Sequence, residues 1–83
     1  MEREIKKFIL QILLRTDGLP LADDSLRRAV RNGFEHVAIT SGDLGQWIEQ
    51  LEAASLISGT TDEIFGRVWA LTPKGKIKAQ QVK

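Results

Sequence analysis

At 83 residues the chain has room for one hydrophobic core, so residues 1–83 are read as a single domain. Hydrophobic residues at 42% and charged residues at 28% describe a globular chain, not a disordered one. The lack of cysteine excludes disulfides, iron–sulfur clusters and thiolate metal sites, and no apolar run reaches the length of a membrane span. A cytoplasmic location is expected.

The net charge of +1 hides an uneven layout. Residues 67–83 carry Arg67, Lys74, Lys76, Lys78 and Lys83 without an acid, whereas residues 40–66 carry Asp43, Glu49, Glu52, Asp62 and Glu63 without a base. One side of the molecule is therefore expected to be basic and another acidic.

Ile5, Phe8, Ile9, Ile12 and Leu13 recur at helical spacing and predict a first helix from Glu2 to Arg15. Leu10 and Leu14 fall on the opposite face. Either the domain covers this helix on two sides, or the leucine pair is a sticky patch for a homodimer or another protein. Asp17-Gly18 closes the helix by left-handed capping, and Leu19-Pro20-Leu21 reads as an extended link or an edge strand. Asp23, Asp24 and Ser25 are N-cap candidates for a second helix with Leu26, Ala29, Val30 and Phe34 inward. Asn32-Gly33 is its stop signal, and Arg27, Arg28 and Arg31 line its outer face.

After the connector Val37-Ala38-Ile39, Thr40 or Ser41 caps a third helix, with Asp43 completing a box-like arrangement. Leu44, Ile48 and Leu51 form its core stripe, with Trp47 beside them. Ser41, Gly42, Gly45, Gln46, Glu49, Gln50 and Ala53 face outward. Residues 57–61 and 67–71 predict a strand and its return, with Asp62-Glu63 near the turn and Trp69 and Leu71 on one face. Thr72-Pro73 is an N-cap followed by proline at the first helical position, starting a last helix with Ile77 inward.

This order, and two motifs within it, resembles the winged helix-turn-helix regulators of the MarR and PadR type. The motifs are Thr40-x-x-x-Leu44-x-x-x-Ile48-x-x-Leu51-x-x-x-x-Leu56-Ile57 and Trp69-Ala70-Leu71-Thr72-Pro73-Lys74-Gly75. The resemblance spans roughly Leu19 to Ala79. It implies a mostly helical α+β fold with a three-helix core, a two-stranded β-wing and a short C-terminal helix. It implies further that Ser41, Gly42, Gly45, Gln46 and Gln50 face the major groove of double-stranded DNA, with Arg67 on the wing and Arg27, Arg28 and Arg31 near the flanking backbone. In two respects the chain departs from that pattern. Its third helix has no Arg or Lys, and the wing tip Asp62-Glu63-Ile64-Phe65 is acidic and apolar.

The leading expectation is thus a DNA-binding domain, a small transcriptional regulator or an accessory factor in a DNA transaction. Gln46 and Gln50 would read adenine edges, while Arg27, Arg28, Arg31, Arg67 and Lys74 neutralise phosphates. The alternative is a docking winged helix that offers Leu10 and Leu14, or Ile64 and Phe65, to a protein. Phe65 shares strand parity with Trp69 and Leu71, so packing beneath the wing is its other reading. His36 is the sole histidine and has no Cys or Ser partner in a recognisable arrangement, the paired acids are neighbours on a cap and a turn, and no phosphate loop or metal-ligand spacing occurs. No enzyme activity, cofactor or metal is expected.

Overall fold

In the computed structural model, residues 1–16 and 19–81 are described, and the elements are α1 (Glu2–Arg15), β1 (Leu21–Ala22), α2 (Asp23–Gly33), α3 (Ser41–Ala53), β2 (Ile57–Asp62), β3 (Gly66–Leu71) and α4 (Pro73–Gln81). Four helices and one antiparallel three-stranded sheet, in the order β1-β3-β2, make an α+β fold. The expected capping residues Asp17-Gly18, and Lys83 at the far end, lie outside the described residues.

The core is assembled around α1. Ile5, Ile9 and Leu13 meet Leu26 and Val30 of α2, Leu44, Ile48 and Leu51 of α3, and Ile57 and Trp69 from the sheet. Phe34 falls just past the end of α2 and meets Phe8 edge-to-face at 5.3 Å, so it extends the stripe from the turn instead of from the helix. Of the two readings of the Leu10 and Leu14 face, the one in which the domain covers it holds. Leu10 is only 4% exposed and Leu14 is half-buried, because α4 lies along that face of α1 and brings Ala79 into the core.

α4 itself is turned differently from the sequence expectation. Ile77 points to solvent at 59% exposure, and Gly75 and Ala79, four residues apart, face inward. The cause is close approach. A Cβ on Gly75 would sit 1.8 Å from the Leu56 carbonyl oxygen, so a side chain at 75 has no space and the helix packs on its small residues. Thr72 fixes the entry angle: its hydroxyl accepts from the Gly75 amide and donates to the Ser55 carbonyl, while its amide donates to the Leu56 carbonyl.

Thr40 caps α3 as its sequence predicts, accepting from the Asp43 amide at 3.0 Å. The other end closes with the Leu56 amide on the Leu51 carbonyl and the Ser55 amide on that of Glu52, a Schellman motif. Ser55 holds φ 62 there, a conformation that favours glycine. At the start of α2 the expected side-chain cap is missing. Ala22 occupies the cap position, and Asp23 and Asp24 fall inside the first turn, where their charge suits the helix dipole.

The sheet has one strand more than a plain hairpin. β2 and β3 pair from Ile57↔Leu71 to Asp62↔Gly66, and β1 adds to the other side of β3 through Leu21↔Trp69 and Ala22↔Val68. The extended backbone that Pro20 imposes delivers those two residues to the strand.

Two substitutions test this joint in opposite directions. Gly75→Ala should destabilise the fold by about 1–3 kcal/mol, because the new methyl must push α4 off Leu56. Ser55→Gly should stabilise it by about 0.5–1 kcal/mol through relief of the left-handed strain. Chemical denaturation of the three proteins gives both signs.

Candidate functional site

Of the side chains expected to contact DNA, Arg27, Arg31, Ser41 and Arg67 lie where α2, α3 and β3 meet, and the Asp23 carboxylate joins two of these elements. Asp23 accepts from the indole Nε1–H of Trp69 at 2.9 Å and from the Arg27 Nε–H at 2.8 Å, one partner on each oxygen. Trp69 is 5% exposed, so its N–H requires a partner inside the fold. Gly59, opposite Trp69 in the register, leaves the space its ring fills. Arg67 stacks over the same indole, with its Cζ 4.8 Å from the ring centroid, and reaches the Glu52 carboxylate at 3.2 Å.

Arg27 reaches further, donating from Nη1 to the Ser41 carbonyl at 3.2 Å, while Arg31 donates to the Ser41 hydroxyl at 3.0 Å. These bonds clamp α2 to the first turn of α3. On the other flank Lys6 donates to the Gln50 side-chain oxygen and to Glu2, which ties α1 to α3. The Glu2 carboxyl is held below its usual value, first by the hydrogen bond from Lys6. Lys74 donates to the Ala54 carbonyl at 3.1 Å and so satisfies the C-terminus of α3.

The expected DNA-contact set therefore divides. Arg27, Arg31, Ser41, Gln50, Arg67 and Lys74 all bond within the domain. Arg28 and Gln46 face solvent. Beside Gln46 the outer surface of α3 presents Asp43 and Glu49 and no cation. Of the α2 arginines, Arg27 is the one in an ion pair among the described residues, with Asp23.

The expected docking set divides too. Leu10 and Leu14 belong to the core and its margin, as above. Ile64 and Phe65 are 83% and 71% exposed, so Phe65 does not tuck under the hairpin. The Asp62 carboxylate accepts from the amides of both residues at 2.9 Å, and Gly66 at φ 75 turns the chain back into β3. These amides, Phe65 first, lower the Asp62 carboxyl below its ordinary value. With a depressed folded value, the clasp is complete above the ordinary aspartate range and is released as pH falls through the lowered one.

A shallow groove lies between the α3–β2 turn and α4, lined by Ala54, Leu56, Lys74, Ile77, Lys78 and Gln81. Sequence reasoning missed it, because it turned Ile77 inward. Among the described residues no three metal-ligating side chains converge, and no helix is long and apolar enough to cross a membrane. Comparison with known proteins finds no matching family model, curated protein or solved structure.

Asp23→Ala should cost about 1.5–3 kcal/mol, since it leaves the buried Trp69 N–H without its acceptor and frees Arg27. Trp69 fluorescence followed through urea unfolding, with Trp47→Phe as the common background, measures it. A loss no larger than the about 0.3–0.5 kcal/mol of a surface ion pair would show that Asp23 does not organise this face.

Proposed function

We propose that the chain is a winged-helix domain working as a protein-docking module, with the β2–β3 hairpin as its wing and the wing tip as the contact. The element order, the Thr40 cap on the third helix and the Thr72-Pro73 exit from the second wing strand support the winged-helix assignment, and β1 on β3 extends the wing at its base.

The observation that carries the docking reading is the exposure of Ile64 and Phe65 at the end of a hairpin clasped by Asp62. A large aliphatic and an aromatic side chain, side by side on a pre-shaped turn, supply the anchors of an interface centre. The ordering cost of binding is lowered because the backbone is already bonded. Elsewhere the exposed side chains of the hairpin are polar, Ser58, Thr60, Thr61 and Arg67, so the tip is not one apolar residue among many.

A second reading, binding to double-stranded DNA, is favoured by one arrangement. Arg31 bonds Ser41 at the N-terminus of α3, Arg28 is exposed on the same helix as Arg31, and Gln46 is exposed in the next turn of α3. Against it stand Asp43 and Glu49 on the same helix, which repel phosphate.

A photoactivatable benzoyl-phenylalanine placed at position 65, and separately at position 46, distinguishes these roles in expressing cells. The docking reading expects a protein adduct of discrete mass from position 65, lost with Ile64→Asp, and no nuclease-sensitive adduct from position 46. A nuclease-sensitive adduct from 46, with none from 65, would establish the DNA reading in its place.

A further inference from the structure

β2 is the free edge of the sheet. Its sequence, Ile57-Ser58-Gly59-Thr60-Thr61-Asp62, contains no proline or lysine, and its pairing with β3 runs through all six positions without a bulge. The other edge, β1, is two residues long and follows Pro20, which is how an edge is ordinarily protected. An open strand of this kind accepts a further strand through main-chain hydrogen bonds.

The two ends of β2 carry complementary chemistry. At its far end is the tip, with Ile64 and Phe65 exposed and Glu63 and Asp62 acidic. At its near end is the groove of Ala54, Leu56 and Ile77, flanked by Lys74 and Lys78. One end is apolar and acidic, and the other is apolar and basic.

Building on the docking reading, we infer that the tip's occupant is the groove of a second copy of this chain, the two joined by antiparallel pairing of their β2 edges. The register follows from symmetry. A two-fold axis at Gly59 sets Ile64 of one copy level with Ala54 of the other, and an axis at Thr60 sets it level with Leu56. In either case the tip arrives at the groove, Glu63 comes toward Lys78, and the same contacts repeat on the opposite side. The dimer closes, and its six-stranded sheet ends on the two β1 edges that Pro20 already blunts.

Sedimentation equilibrium of the purified full chain, from about 1 to 500 µM, tests the inference across the range of weak protein pairs. The expected result is a reversible monomer–dimer equilibrium. Ile64→Asp, at a solvent-exposed position, should abolish the dimer and leave the circular dichroism of the monomer unchanged. Glu63→Lys and Lys78→Glu should each weaken association about tenfold, and the double variant should recover most of the loss. A monomer at every concentration, or a dimer indifferent to Ile64→Asp, overturns the inference. A monomeric purified chain that still gives a position-65 adduct with a different protein in cells would discard the second copy and leave the docking reading standing.

Discussion

The Asp23 carboxylate, shared between the Trp69 indole and the Arg27 guanidinium, is the interaction on which the arrangement of this domain depends. Trp69 is the large side chain that β3 contributes to the core, and burying it is favourable only if its N–H is satisfied. The acceptor lies 46 positions away in sequence, at the first turn of α2. Placing it there brings Leu21 and Ala22 onto β3 as a third strand. Arg27, held by the same carboxylate, then reaches the first turn of α3. One polar contact thus fixes the sheet, α2 and α3 relative to one another, and nonpolar packing around α1 supplies the bulk of the stabilisation.

That constraint has a consequence for charge. The arginines that a nucleic-acid reader would turn outward are used here to hold elements together: Arg27 on Asp23 and Ser41, Arg31 on Ser41, Arg67 on Glu52 and the Trp69 ring. Lys74 closes the end of α3. Each such bond is weak at the surface and could exchange for a phosphate. The exchange would, however, leave Asp23 and Glu52 uncompensated on a face that already carries Glu49 and Asp43. Exposed large apolar side chains are found elsewhere, at Ile64 and Phe65 of the hairpin tip, at Ile77, and singly at Met1 and Leu19. The docking proposal follows from the contrast between a polar face bonded within the domain and the one place, the hairpin tip, where two such side chains are adjacent.

Much of the fold was legible in the sequence because it rests on local rules. Ile5, Ile9 and Leu13 set α1, Thr40 with Asp43 set the start of α3, and Thr72-Pro73 set the start of α4. Where tertiary contact decides, the reading failed. The hydrophobicity of Ile77 predicts an inward side chain, yet Gly75 must meet the Leu56 carbonyl, and that rotation sends Ile77 out and Ala79 in. For Leu10 the sequence leaves coverage by the domain and a partner patch both open, because no local signal shows that α4 returns to cover α1. Asp23 looked like a cap, and only its spacing from Arg27 hinted at another role; no pattern in the chain links it to Trp69. The candidate site was legible as residue types and not as partners. The sequence names the arginines but cannot say that they are already bonded.

The central claim is that these cations are committed to the fold. A titration of the nitrogen-15-labelled chain with a random DNA duplex at low salt, following the Arg27 and Arg67 Nε–H and Trp69 indole resonances, tests it directly. All three are expected to stay at their free-protein positions while duplex is added in excess. Saturable movement of the arginine resonances, with an affinity that falls on a log–log salt slope near −3 to −4, would contradict it.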